Sequence, residues 1–271
     1  MKYRLSQINI FPVKSLGGVT LQQAYARERG LLYDRRWMIA DSNNRFMTQR
    51  EHPRMATVGI HLQEDGFLLY KKADHQDSIT LPFSVSNTKE EEVIIWKDKC
   101  NGLHFTKQAD EWISDHLKVK CSFIYMPESS KRLVDTAYAK YQETVGFADA
   151  FPFMILGEES VKELNGRLID PVPMNRFRPN LVFAGGQCFD EDRFGEITIG
   201  TAVFSAAKLC GRCSIVTVDQ DNGVKGIEPL KTLAGFRTVN NNTYFGQYLL
   251  LKNPGIVQVG DAVSVNAIQH N

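Results

Sequence analysis

The sequence predicts a mainly β protein with some α-helix, arranged in two β-rich parts. Short apolar or alternating runs, separated by turn residues, recur through most of the 271 residues. Apolar residues at helical spacing stand out in only two segments. In the first hundred residues the spacing of the strands favours a barrel or a sandwich over alternating β-α-β units. The two parts are predicted to meet near residue 120, as domains of residues 1–119 and 120–271.

The first strand is the clearest element of the N-terminal part. Leu5, Ile8 and Ile10 alternate with polar residues within residues 3–11, as in a half-buried strand, and the loop 12–18 ends it. The other strands predicted here are residues 20–26, 36–40, 56–62, 67–70 and 93–96. Turn residues at 42–44 and 64–66 separate some of these strands.

Helical spacing appears after residue 108. Trp112, Ile113 and Leu117 predict a helix over residues 109–118, and a similar pattern predicts one over 159–168. The strands predicted after these are residues 180–184, 196–199, 202–206, 214–218, 248–251 and 256–259. Glycine-containing turns at 185–186, 221–223 and 253–255 lie between them.

The charge pattern excludes several classes of partner. The formal net charge is +1, and no long run of one sign occurs, so neither a nucleic-acid stripe nor a polybasic membrane anchor is expected. The N-terminal residues lack the apolar core of a signal peptide. No window approaches the roughly 18 apolar residues that cross a bilayer. We expect a cytoplasmic protein with no nucleic-acid or membrane partner.

Five cysteines, at positions 100, 121, 188, 210 and 213, do not suggest a disulfide framework in such a chain. The segment Cys210-Gly-Arg-Cys213 is the strongest local signal, and its spacing suits a zinc site, a redox dithiol, a single-thiolate metal site or a buried pair. A structural zinc site usually needs a second cysteine pair, which the sequence does not contain, and the six histidines lie far from this segment in sequence. A redox dithiol is disfavoured by the strand predicted at 214–218. Spacing alone leaves these alternatives open.

Two basic segments of the N-terminal part are candidate anion sites. Lys14 and Ser15 follow the first strand, where charge and hydrogen bonds can hold a phosphate, although such loops are usually ordinary surface. Arg35 and Arg36 lie at the start of another predicted strand, so one of them is predicted to point inward toward a carboxylate or a phosphate. An Arg–Asp ion pair is the plainer alternative.

Two further segments are weaker candidates. Arg178 precedes Pro179, which predicts an extended backbone that aims the arginine side chain in a fixed direction. Gly246, within residues 243–248, would let the backbone approach a ligand closely. Aromatic residues around such positions belong to the core more often than to a site.

Together these segments resemble the MOSC family, in particular its two-part members with an N-terminal β-barrel domain. The family includes the amidoxime-reducing component of mitochondria and its bacterial relatives. The motifs occur in the family's order along nearly the whole chain: Pro12-Val-Lys-Ser15, YDRRW at 33–37, Phe147-Ala-Asp149, FRPN at 177–180, Glu191-Asp192, Cys210-Gly-Arg-Cys213 with TVD at 217–219, Glu228-Pro-Leu230, FGQY at 245–248 and VGD at 259–261. The resemblance implies a barrel-like N-terminal domain packed on a MOSC β-barrel domain with peripheral helices.

The resemblance also implies a site for a molybdenum cofactor, Mo-molybdopterin. Cys213 matches the thiolate that binds the metal and is the implied catalytic residue. Lys14, Ser15 and Arg35 match residues that hold the phosphate of the pterin. The full set of implied cofactor-binding residues is Lys14, Ser15, Arg35, Asp149, Ala150, Arg178, Gly211, Arg212 and Tyr248.

The implied activity is a molybdenum-dependent oxidoreductase that reduces amidoximes, hydroxylamines and hydroxylaminopurine-type bases by oxygen-atom abstraction at molybdenum. Alternatives are a persulfide-bearing sulfur-transfer module, as in molybdenum-cofactor sulfurases, and a non-catalytic cofactor carrier. The sequence contains no iron–sulfur or flavin motif, so a separate electron donor is expected, either a flavoprotein reductase or a ferredoxin-like protein.

Gly211 is a departure from the family pattern, because relatives usually carry serine there. The change removes a hydroxyl near the metal and keeps the backbone. Cys210 is predicted to be a small buried residue or a group that contacts the ligating residues, rather than a second metal ligand.

Overall fold

The computed structural model describes residues 2–85 and 88–268. The strands are β1 (Arg4–Ile10), β2 (Val19–Leu21), β3 (Gln23–Arg27), β4 (Gly30–Leu31), β5 (Trp37–Ala40), β6 (Val58–Leu62), β7 (Gly66–Lys71), β8 (Asp74–Pro82), β9 (Glu90–Ile95), β10 (Asp98–His104), β11 (Ser122–Tyr125), β12 (Phe153–Gly157), β13 (Leu181–Ala184), β14 (Phe194–Ile199), β15 (Ala202–Gly211), β16 (Thr238–Val239), β17 (Asn242–Asn253), β18 (Gly255–Gln258) and β19 (Val263–Ile268). The α-helices are α1 (Lys107–Leu117), α2 (Glu158–Asn165) and α3 (Leu230–Arg237), and 3-10 helices cover Pro53–Thr57, Met174–Arg176, Asp190–Arg193 and Ser214–Thr217.

The predicted class, mainly β with some α-helix, is confirmed. The largest sheet has the order β19-β14-β15-β17-β12-β13-β1-β2, with β16 paired to β17. In this sheet β12 and β13 pair in parallel, and the other main pairings are antiparallel. The smaller sheets are β5-β11-β10-β9, β18-β3-β4 and β6-β7-β8. Within the described residues the strands pair as open sheets, not as closed barrels.

Strand pairing crosses the predicted division between residues 119 and 120 in both directions. β1 and β2 extend the large sheet of C-terminal strands, and β3 pairs with β18. Conversely, β11 pairs with β5 and β10 of the N-terminal part. The two-domain division stays a prediction, and its outer ends, Met1 and Asn271, lie outside the described residues.

Two large apolar clusters support these sheets. One lies beneath the large sheet and includes Leu5, Phe153 and Phe204. The other packs Trp37 against the inner face of α1, where Ile113 is fully buried. Each cluster removes apolar side chains from water, the main favourable term in folding. Among the described residues no helix is both long and apolar enough to span a bilayer.

The predicted strand at 214–218 is wrong, because Ser214–Thr217 forms a 3-10 helix. The hydroxyl of Thr217 donates to the Ser214 carbonyl at 2.8 Å, a local bond that competes with strand pairing. The sequence analysis also missed α3 and the strands β4, β8, β10, β11, β12, β16 and β19. β12 is buried at every position and therefore lacks the alternation that identifies a half-buried strand.

Candidate functional site

One cavity brings together every residue that the sequence analysis assigned to the site. Its lining includes Lys14, Ser15, Arg35, Asp149, Ala150, Arg178, Gly211, Arg212, Cys213 and Tyr248. Aromatic side chains, among them Phe151 and Phe177, complete the wall. These residues therefore lie in the same cavity, and their roles in binding stay predictions.

The topology of the large sheet explains why distant segments meet. Lys14 and Ser15 follow β1, and Arg178 precedes β13, the neighbour of β1. Cys213 follows β15, and Tyr248 lies on β17, the neighbour of β15. Loops at neighbouring strand ends therefore converge on the cavity.

Three cavity residues have a left-handed backbone: Ser15, Arg35 and Arg178, with φ of 65°, 48° and 55°. The extended backbone predicted for Arg178 from Pro179 is therefore wrong. The N–H of Arg178 donates to the Asn175 carbonyl at 3.2 Å, which closes a helical turn, and a left-handed residue commonly follows such a turn. Conformations of this kind cost about 1–3 kcal/mol each and are concentrated at functional sites.

The guanidinium groups of Arg35 and Arg178 lie against the same ring, with their central carbons 4.4 and 4.1 Å from the centroid of Phe11. Arg35, rather than Arg36, lines the cavity, and it donates to Asp34 Oδ2 at 2.6 Å, the ion pair considered above as the plainer alternative. Arg178 Nη2 is buried and has no hydrogen-bond partner in the described chain. Burial, together with the charge of Arg35, lowers the pKa of Arg178 to about 9. An anion in the cavity would supply the missing acceptor.

The buried Lys14 forms an ion pair with Asp149, whose side chain is partly exposed. Lys14 Nζ also donates to the Phe147 carbonyl at 2.8 Å, and burial lowers the pKa of this lysine to about 8 despite the neighbouring carboxylate. Burial alone would raise the pKa of Asp149, but Lys14 and Arg50 outweigh it and hold that pKa well below its ordinary value. Asp149 therefore shares one negative charge between two cations, Lys14 and Arg50.

Cys213 is half-buried at the end of the segment that leaves β15. Its sulfur lies 3.5 Å from Nη1 of Arg50, which also donates to Asp149 Oδ2 at 3.2 Å. The sulfur also faces the cavity, where it can reach a bound ligand. The environment of Cys213 therefore suits a metal ligand or a nucleophile.

The burial predicted for Cys210 is confirmed. Arg212 Nη1 donates to the Cys210 sulfur at 2.9 Å, and Arg212 Nη2 donates to the Phe177 carbonyl at 2.8 Å. Cys210 and Cys213 thus contact different groups. In residues 2–85 and 88–268 no group of three or more His, Cys, Asp or Glu side chains could hold a metal ion, which disfavours the zinc alternative.

Gly211 faces open space. A Cβ built on it would meet nothing within 4 Å, so a serine would fit without displacing a neighbour. Glycine in place of the usual serine therefore removes a hydroxyl from the cavity and leaves open space at that position.

Tyr248 forms part of the cavity wall with an aromatic neighbour. Its ring stacks on Phe151 at 4.8 Å between centroids. Burial, with the nearby Cys210 thiol, raises the pKa of Tyr248 well above its ordinary value, so its hydroxyl stays protonated.

Sequence reasoning missed three residues that organise this site. Arg50 contacts Cys213, Trp96 donates to Asp149, and Arg132 donates to the carbonyls of Gly146 and Asp149 at 3.0 and 2.9 Å. None lies in a motif, and each looks like an ordinary surface residue in the sequence. Only their long-range contacts reveal them.

Comparison with known proteins gives matches to two family models. The model of the MOSC N-terminal beta barrel domain matches residues 2–120, and that of the MOSC domain matches residues 142–264. The chain is 32% identical to mitochondrial amidoxime-reducing component 1 of Homo sapiens, over 96% of this chain and 82% of that protein. It is 30% identical to the Mus musculus protein of the same name, over 96% and 81%. It is 29% identical to a molybdenum cofactor sulfurase of Oryza sativa subsp. japonica, over 89% of this chain but 32% of that protein.

Proposed function

The chain belongs to the MOSC family, and from that membership we propose that it binds a molybdenum cofactor of the molybdopterin type and reduces N-hydroxylated compounds. The proposed substrates are amidoximes, hydroxylamines and hydroxylaminopurine-type bases. Relatives named for amidoxime reduction align with nearly the whole chain, which supports this reaction.

One observation carries the cofactor proposal: a buried guanidinium with one unpaired nitrogen, Arg178 Nη2, shares a cavity with a half-buried thiol. Arg178 Nη2 lacks an acceptor in the described chain, and Cys213 lines the same cavity. A phosphate provides the acceptors that a guanidinium binds best. A thiolate suits molybdenum, a metal whose dithiolene cofactor forms a soft site. The residues therefore fit a ligand that carries both groups.

The roles divide as follows. Arg178, Arg35 and Ser15 hold the phosphate, and Cys213 binds the metal as a thiolate. Lys14 also lines the cavity, and we assign it to the phosphate as well, although it shares Asp149 with Arg50. The residues proposed to contact the rest of the cofactor are Asp149, Ala150, Gly211, Arg212 and Tyr248.

When bound, the cofactor supplies the two-electron chemistry that removes the oxygen of the N–O bond. In the net reaction an amidoxime takes up two electrons and two protons and gives an amidine and water. The chain's own residues hold the cofactor, keep the Cys213 sulfur beside Arg50 and shape the entrance for substrate.

The electrons require a second protein. A flavoprotein reductase or a ferredoxin-like protein fits, because the sequence contains neither a flavin nor an iron–sulfur motif. The cytoplasmic location also stays a prediction, and the animal relatives are named as mitochondrial proteins.

Metal analysis combined with turnover tests the proposal. We expect molybdenum in the purified protein, reduction of benzamidoxime by a reduced viologen dye, and loss of both in Cys213→Ala. Cys188→Ala, at an exposed cysteine, serves as the control and keeps both. Metal-loaded protein that reduces no N-hydroxy compound would contradict the catalytic part.

Sulfur transfer is the second candidate, supported by the similarity to a molybdenum cofactor sulfurase. Under this function Cys213 carries a persulfide. Mass spectrometry that finds a persulfide in protein without molybdenum would favour it. A non-catalytic carrier would instead bind cofactor without turnover and release it to an apo-enzyme.

A further inference from the structure

A tryptophan occupies an unusual turn position beside the cavity. Ile95 pairs with Asp98, so only Trp96 and Lys97 connect β9 to β10. Trp96 has φ of 56°, and the left-handed positions of two-residue hairpin turns favour Gly, Asn or Asp. For a bulky side chain such a backbone is a rare and strained choice, of the kind concentrated at functional sites.

Three contacts hold the indole in place. Its nitrogen donates to Asp149 Oδ1 at 3.3 Å. The guanidinium of Arg50 lies 4.6 Å from the ring centroid, a cation–π contact, and the Phe46 ring lies 5.0 Å away at an angle of 56°. Trp96 nevertheless remains 49% exposed. The side chain is thus fixed in position while much of its surface stays open.

Arg50 connects this open surface to the proposed metal ligand. The same guanidinium that stacks on Trp96 lies 3.5 Å from the Cys213 sulfur. Trp96 also contacts Asp149, which lines the cavity, so the exposed part of the indole lies beside the cavity rather than inside it. The cavity wall also contains the stacked pair Phe151 and Tyr248, so flat apolar surfaces line the region.

We propose that Trp96 is a stacking platform that selects planar aromatic N-hydroxylated compounds over aliphatic ones. The proposal rests on the reductase function stated above and adds the class of substrate. An aromatic substrate gains contact with the indole surface, whereas an aliphatic substrate with the same reactive group does not.

Benzamidoxime and acetamidoxime test this proposal, because they share the amidoxime and differ in the ring. In Trp96→Ala we expect kcat/KM for benzamidoxime to fall about tenfold, mainly through KM, from the loss of stacking. For acetamidoxime we expect a smaller fall, about twofold, which reflects only the lost contacts of Trp96 with Asp149 and Arg50. Trp96→Phe restores most of the preference for the aromatic substrate. Tyr25→Ala removes a comparably exposed aromatic side chain on β3 and changes neither substrate.

Calorimetric titration with benzamidoxime gives a readout that does not need turnover. We expect the Kd to rise about tenfold in Trp96→Ala. An equal loss for both amidoximes would assign Trp96 a structural role through Arg50 and Asp149, and an unchanged Kd would exclude stacking; either result overturns the proposal. Tryptophan-dependent binding without turnover by the wild-type protein would instead reject the reductase function and keep the platform.

Discussion

Nη1 of Arg50 lies 3.5 Å from the sulfur of Cys213, although 163 residues separate them in sequence. Arg50 also donates to Asp149 Oδ2 at 3.2 Å, so one guanidinium links the proposed metal ligand to the carboxylate that pairs with Lys14. Three charged side chains, Lys14, Asp149 and Arg50, are therefore linked to one another beside the Cys213 sulfur.

This contact predicts an effect of Arg50→Met on activity. Without the guanidinium, the Cys213 thiolate and Asp149 lose a neighbouring cation, and groups that support metal ligands typically contribute about 10–100-fold to metal affinity or activity. We expect kcat/KM for benzamidoxime to fall at least about tenfold, measured by viologen oxidation. Arg54→Met changes an exposed arginine nearby and serves as the control. Equal activity of the two variants would show that Arg50 does not support Cys213 and Asp149 in the reaction.

The unpaired Nη2 of Arg178 predicts a large effect of substitution on cofactor binding and a small effect on stability. In Arg178→Met we expect the cofactor content to drop strongly, while the free energy of unfolding of the apo-protein changes by less than about 1 kcal/mol, because a buried charge without a full set of partners is removed. Arg212→Met is the comparison. It leaves the Phe177 carbonyl without its donor and costs about 2 kcal/mol.

Urea unfolding of both apo-variants measures these energies. A large loss of stability in Arg178→Met would show that its side chain is satisfied within the protein, which would remove the main support for a phosphate at that position.

Open space at Gly211 predicts that a serine is tolerated there. Gly211→Ser is expected to change the free energy of unfolding by less than about 0.5 kcal/mol, because no atom lies within 4 Å of the added Cβ. Gly246→Ser is expected to cost more than about 1 kcal/mol, since φ is +80° and the Cβ would lie 3.0 Å from the Ile155 carbonyl oxygen. Thermal or urea unfolding distinguishes the two. A comparable loss in both would contradict the open environment of Gly211.

Glu191 predicts a pH dependence of stability. Burial raises the pKa of this carboxyl from 4.5 to about 7, although Ser160 and the Gly157 N–H donate to it. The folded state therefore binds the proton more tightly than the unfolded state. The contribution is fully present below pH 4.5 and is lost as the pH rises to about 7, by roughly 3 kcal/mol in total.

Glu191→Gln removes that dependence. Urea unfolding at pH 5 and pH 8 is expected to show a smaller difference in this variant than in the wild-type protein. Glu159→Gln, at a more exposed position on α2, keeps the full difference. The same pH response in both variants would mean that other groups cause it.

Local patterns predicted much of the fold. The alternation of Leu5, Ile8 and Ile10 located β1, and the spacing around Ile113 located α1. Elements without such a pattern were missed, as for the wholly buried β12. The backbone of Arg178 was mispredicted because a helical turn outweighed the local preference of a residue before proline.

The sequence by itself determined the fold class, the family and ten of the residues that line the cavity, because periodicity and ordered motifs are local properties. It did not predict the aromatic part of the lining, such as Phe151 and Phe177. The tertiary structure alone decided how charges pair across the chain: Asp149 pairs with Lys14, Arg178 Nη2 stays unpaired, and Arg50 reaches Cys213. These pairings depend on which strand ends lie side by side in the sheet. No short segment of sequence encodes the distance between two such strand ends.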